Sequence, residues 1–288
     1  MRVATTTKYD LIDYNLSKIT EELNHASQVL SSGKRINTLS DDPAGVTQAL
    51  GLKSALANID QMDRNIGLGE SWLVGSEGAL RHSQNLVVDA KVLCIEMASA
   101  SKSPLDRQSA ATVVQNIRDE IVSLANTNIN GRYIFSGSET DTKPFEQDGT
   151  YNGNDVPFAI KAGNDNIVQI GSVGEAIFAD VFTTLDDLMT ALQSDDIVGI
   201  NTAMDSLDLH SENISTHVSD VGSKMNRMEI KKNILQGLSI SNTERLSQIE
   251  NADIFEAAMN LKSVEMAYQA ALASSASVME LSLVDFIK

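Results

Sequence analysis

Apolar residues recur every three or four positions over most of this chain. Near the start, Tyr9, Ile12, Leu16, Ile19, Leu23, Ala26 and Leu30 keep one stripe. Near the end, Ile254, Ala257, Leu261, Val264, Tyr268, Ala271, Ser275 and Val278 keep another, with Ser275 alone polar. Alternating steps of three and four lay a narrow seam along an α-helix, the seam that coiled coils bury against one another. A helix wet everywhere except on one seam is marginal by itself. The two ends are therefore expected to pack on each other and on neighbouring subunits.

The seams come in capped blocks. The first helix is predicted from about residue 8 to 32, with Thr7 and Asp10 as a capping box and Gly33 as its stop. Small and turn-forming residues follow to Gly45, and Asp42 before Pro43 marks a helix start. A second seam runs Leu52, Ala55, Ile59, Met62, Ile66, Gly69, Leu73, Ser76, Leu80, Ser83, Val87, Ala90, Cys94, Met97. Ser103-Pro104-Leu105-Asp106 then caps a third helix that carries Ala110, Val114, Ile117, Ile121 and Leu124 on one face.

After Gly131 the period changes. Tyr133–Gly137 is a β-like run, Asn152-Gly153 is a hairpin signal, and Val156–Ile160 alternates before a turn at Gly163-Asn164-Asp165 and a strand over 166–170. Pro157 would make its strand an edge. Helix resumes near Thr183, and the longest seam extends from Ile200 to Ile249. Asp253, with Glu256 three residues on, restarts the last helix. The expected fold is mainly α: a long antiparallel bundle or coiled coil made by the N- and C-terminal regions, with a small inserted β-rich domain. Its parts would be an assembly helix and connector at 1–42, a bundle at 43–138, a β-rich outer insert at 139–180, the second half of the bundle at 181–250, and a terminal assembly helix at 251–288.

Composition narrows the class. The four prolines all lie at or before residue 157, which leaves the later chain free to be helical. A formal net charge of −17 repels both nucleic-acid phosphates and anionic membrane surfaces, so neither is an expected partner. The start lacks the apolar core of a secretory signal, and no run is long enough to span a membrane. These features predict a soluble protein made in the cytoplasm, and they are compatible with export that needs no cleaved signal.

Candidate chemistry is thin. Gly67-Leu68-Gly69 begins a dinucleotide-like pattern, but Trp72 takes the third glycine's place in a helical context. Asp148, Thr150, Asn152 and Gly153 imitate a calcium loop in which Ala159 stands where the bidentate Glu belongs. His25, His82, His210 and His217 are dispersed and read as surface residues. Cys94, the single cysteine, sits on a seam and reads as a buried small residue. Asp41 and Asp42 read as caps at a helix start. No catalytic residue, cofactor or metal is expected.

Several stretches carry a resemblance. Leu30-Ser31-Ser32-Gly33-Lys34-Arg35-Ile36-Asn37, then Ser40-Asp41-Asp42-Pro43-Ala44-Gly45, resembles the N-terminal motif of the bacterial flagellin superfamily, and Gly75–Leu80 is similar to its next segment. Arg35, Asn37, Asp41 and Asp42 carry that motif. Asn126–Ser138, including Gly131, Arg132, Tyr133, Phe135 and Gly137, resembles the hook–filament junction branch of the superfamily. So do Thr140–Phe145, Ala270–Ser275 and Leu281–Phe286. The resemblance implies a structural subunit forming an adaptor ring between the hook-associated zone and the filament, required for filament assembly and motility. Implied partners are further copies of the chain, another hook-associated protein, flagellin, and a cytoplasmic export chaperone at the C-terminal region. Implied location is the extracellular flagellum, reached through the flagellar type III apparatus. Asp89 stands where receptor-sensed flagellins have Arg, although Lys91 remains, so the resemblance leaves innate-receptor recognition open. Flagellin itself, or a cytoplasmic signalling coiled coil, is the rival reading.

Overall fold

The structure is a computed structural model that describes the backbone of residues 2–163 and 167–287, with side chains described over 6–7, 9–163 and 167–278. The described residues form helices α1 (Arg2–Ser32), α2 (Pro43–Met97) and α3 (Pro104–Ala125), and strands β1 (Asn128–Ile129), β2 (Arg132–Tyr133), β3 (Ala159–Lys161) and β4 (Ile167–Gln169). Helices α4 (Glu175–Gln193), α5 (Ile197–Glu250) and α6 (Ile254–Ile287) complete them. The chain divides into two compact units, one of residues 1–58 with 238–288 and the other of residues 59–237.

The middle unit is built on the long seams. Ile59, Ile66, Leu73, Leu80, Val87, Ala90, Cys94 and Met97 of α2 are buried, as are Ile200, Leu207, Ile214, Val221, Met228 and Leu235 of α5. One hydrophobic cluster contains both sets. The expected cap of α3 forms: Ser103 Oγ accepts from the Asp106 amide at 3.2 Å, and Asp106 Oδ2 accepts from the Ser103 amide at 2.9 Å. Helix α4 packs against α3, burying Ile177, Phe178, Val181, Phe182, Leu185 and Leu188.

The β-containing stretch departs from expectation. It joins the core: Phe145 is fully buried and lies 5.1 Å from the Tyr151 ring, 5.2 Å from Phe182 and 6.0 Å from Phe178. Ile160, Val168 and Ile170 belong to the same hydrophobic cluster as Ile66 and Leu73. Residues 139–180 are thus no separable outer domain. Helix resumes at Glu175, ahead of Thr183, because Phe178 and Phe182 give this turn a face to bury against Phe145. Pro157 precedes β3 and so shapes no strand edge. The tight hairpin is at Asn130-Gly131, with φ of 52° and 81°, joining β1 to β2. Both positive values fit the type I′ turn that suits the twist of two strands. Near Asn152-Gly153 there is only the bridge Phe145↔Tyr151. β3 pairs antiparallel with β4. The turn expected at Gly163-Asn164-Asp165 and the strand start at Asn166 fall on residues 164–166, outside the described ones.

Two buried arginines, which periodicity does not reveal, fasten turns to helices. Arg107 donates from Nε to the Met97 carbonyl at 2.8 Å and from Nη2 to the Ser99 carbonyl at 3.0 Å, and pairs with Asp195. Arg118 places Nε 2.6 Å from Asp186 Oδ1, donates from Nη1 to the Gln147 carbonyl at 2.7 Å, and lies 5.7 Å from the Phe182 ring centroid. The hydrogen bond to Asp186 runs from Arg118 Nη2 to Oδ2 at 3.1 Å, and a buried charge is tolerated in a core when it is paired in this way.

Candidate functional site

In the unit of both termini, α1 packs along α6. Helix α1 begins at Arg2, so Thr7 and Asp10 lie inside it and do not start it. No proline or glycine interrupts residues 2–7, and the helix extends through them. The two predicted seams meet. Ala26 and Ala257 are buried, while Ile12, Leu16, Ile19, Leu23, Leu30, Leu261, Val264 and Tyr268 are half-buried. Tyr9, Ile254 and Val278 remain exposed at the margins. Side chains of Leu281–Phe286 lie outside the described ones.

A second apolar stripe runs along α6 beside this contact: Phe255, Met259 and Met266, four and seven residues apart, are exposed, with Phe255 at 85% and Met259 at 68%. Leu11 and Tyr14 of α1 and Leu272 of α6 are exposed as well. The step of four from Phe255 to Met259 was the available signal; the stronger seam beside it masked it.

The motif residues build the joint between helices. Gly33 has φ +67°, the left-handed stop that glycine allows without strain. Asp41 then organises the connector, with Oδ2 accepting from the Asn37 and Thr38 amides at 2.8 and 2.7 Å. Those backbone donors, aided by His25 at 3.3 Å, hold its carboxyl at about 2. Asp42 caps α2 by accepting from the Gly45 amide at 2.9 Å. Asn37 Nδ2 donates to the Lys34 carbonyl at 2.8 Å. Arg35 reaches across to the other chain break, with Nη2 donating to the Ile249 carbonyl at 2.9 Å and lying 3.8 Å from Asp42 Oδ2. Asp253 caps α6, Oδ1 accepting from the Phe255 amide at 2.8 Å.

The Gly131–Gly137 run instead serves the middle unit's core. Arg132 is exposed, Tyr133 donates its amide to the Thr140 carbonyl at 2.7 Å, and Phe135 is fully buried, 5.1 Å from Phe178. A Cβ on Gly137 would sit 2.3 Å from Asn154 Oδ1 and 2.4 Å from the Asn154 carbonyl oxygen, at a backbone φ of +70°. That position requires glycine. Burial raises the Cys94 thiol to about 11, which leaves it a poor nucleophile. His210 and His217 are half-buried, not surface residues, because each lies on the inward flank of α5; burial lowers both and keeps their rings neutral. Among the described residues no group of His, Cys, Asp or Glu could hold a metal ion.

The bacterial flagellin N-terminal helical region matches residues 3–140, and the flagellin C-terminal helical region matches residues 204–287. Together these exceed half of the chain. The chain belongs to the bacterial flagellin family. Among curated relatives, flagellar hook-associated protein 3 of Escherichia coli is 27% identical over 88% of this chain and 89% of its own length. Polar flagellin F of Vibrio parahaemolyticus is 30% identical, over 54% of this chain and 41% of its own length. The crystal structure of FlgL from Bacillus cereus matches with TM-score 0.62 and 26% identity, covering 68% of this chain and 99% of that one. The family's shared helical ends correspond to α1–α3 and to most of α5 with α6.

Proposed function

We propose that this flagellar chain is the adaptor subunit between the hook-associated zone and the flagellin filament. The observation that carries the reading is coverage. The chain aligns over 88% of its length with 89% of a hook-associated protein 3, but with only 41% of a flagellin. The Gly131–Gly137 run, which resembles the junction branch, also supports an adaptor over a bulk filament subunit. The role is structural, not enzymatic, and includes no nucleic acid or membrane partner.

In this reading the subunits form a homo-oligomeric ring, with the other hook-associated protein on the hook side and flagellin on the filament side. The chain leaves the cell through the flagellar type III apparatus without a cleaved signal, its C-terminal region held beforehand by a cytoplasmic chaperone. Tyr9, Ile12, Leu16, Ile19, Leu23 and Leu30 close on Ile254, Leu261, Val264, Tyr268 and Val278, largely within one subunit. The neighbour-facing surface is then the second stripe, led by Phe255 and Met259, because these remain exposed after that pairing. Deleting the chain in its own bacterium should leave hooks without filaments, and supplying it again should restore filaments and swimming. Normal filaments in the deletion strain would refute the reading.

A further inference from the structure

Three residues on one face of α2 carry the strand β3. Asn65, Gly69 and Trp72 are four and three positions apart, the spacing of a single helical stripe. Asn65 Nδ2 donates to the Lys161 carbonyl at 2.8 Å, and the Trp72 ring lies 4.9 Å from that of Phe158. Between these two contacts, a Cβ on Gly69 would stand 2.6 Å from Ile160 Cδ1. Residues 65, 69 and 72 thus meet 161, 160 and 158 in turn, and β3 runs antiparallel along the helix. The second long helix reaches the same notch. That Cβ would lie 3.5 Å from Met228 Cε of α5 and 3.6 Å from Ile170 Cγ2, both ordinary contacts. Alongside, Lys232 Nζ of α5 lies 2.8 Å from Glu70 Oε2 of α2.

Glycine in a helix interior weakens the helix. At Gly67 and Gly78 of α2 an added Cβ would meet nothing within 4 Å. Gly69 differs because it is buried and its missing side chain is replaced by Ile160, which is itself 7% exposed and has no open space to swing into. A two-stranded hairpin holds only when it packs on further structure, so the notch serves strand and helix alike. We propose that Gly69 is a notch keyed to Ile160 Cδ1, and that β3 seated in it is a brace holding α2 and α5 together over residues 62–73 and 225–235. The brace belongs to the middle unit alone, so its failure would leave the junction reading standing.

The test is amide hydrogen exchange on the isolated full chain, with residues 110–122 of α3 as the internal reference. Gly69→Ala should speed exchange over 62–73 and 225–235 together, by a factor on the order of ten given the coupling usual between groups in contact. Ile160→Val removes the one carbon that the new methyl group would strike. In that background Gly69→Ala should leave exchange over both stretches unchanged or slower, since alanine is the better helix former. Gly67→Ala and Gly78→Ala, where space is open, should not speed it either. Should Gly69→Ala unfold residues 110–122 as well, their recovery in the Ile160→Val background supports the notch and continued loss overturns it. The proposal is also overturned if Gly69→Ala exchanges like the parent, if only one of the two helices responds, or if the Ile160→Val background gives no relief.

Discussion

Replacing Phe145 by alanine asks whether the β-containing stretch belongs to the core of the middle unit. The ring is fully buried, with three aromatic neighbours at 5.1–6.0 Å. Its backbone is pinned as well: Asn126 Nδ2 donates to the Phe145 carbonyl at 2.9 Å, and Asn126 Oδ1 accepts from the Phe145 amide at 3.0 Å. The surroundings therefore cannot collapse freely into the void. Truncating a buried phenylalanine in such a site costs about 3–5 kcal/mol through lost transfer energy and the cavity left behind. For a body of this size each kcal/mol moves Tm by roughly 2–4 °C, so a fall on the order of 10 °C is expected. Far-UV circular dichroism reads the helices, and the fluorescence of Trp72, the single tryptophan, reads the neighbourhood of Phe158, whose ring is 4.9 Å away. Val156→Ala, on an exposed side chain, is the control and should stay within about 0.5 kcal/mol. A Phe145→Ala Tm within about 2 °C of the parent, the shift expected for under 1 kcal/mol, would mean that this stretch is detachable after all.

Gly137→Ala should cost about 2 kcal/mol or more, from the left-handed backbone and the clash with Asn154, and an unchanged urea midpoint would contradict the crowding. Asp41 has a folded pKa depressed from 3.8 to about 2, so its stabilisation of the connector is present above pH 4 and lost as pH falls through about 2. The Asn37 and Thr38 amide shifts should titrate with that lower midpoint and flatten in Asp41→Asn; a midpoint near 4 would refute the arrangement. Phe255→Asp places a charge on the outward stripe, so the isolated chain should melt as before while incorporation into flagella is lost. Normal incorporation would remove that stripe from the neighbour contact.

Much of this architecture was legible because its elements are long and locally signalled. The seams over 52–97 and 200–249 follow directly from a period that only a helix satisfies, and Asp42, Ser103 and Asp253 announce helix starts within four residues of themselves. The rest depended on residues far apart in the chain. Arg118 reads as a surface charge until Asp186 and Gln147 meet it, and Glu250 until Lys34 and Lys53 do. The start of α4 was hidden because Phe178 and Phe182 suit a strand as well as a helix, and only the Phe145 ring decides between them. The terminal seams were found, but periodicity alone does not say whether a seam closes within one chain or between two.

The central claim is a position in the flagellum, and immunogold labelling of intact flagella tests it most directly. Antibody against the middle unit should give a single band where the hook meets the filament. Label distributed along the filament would contradict the account and make the chain a bulk filament subunit.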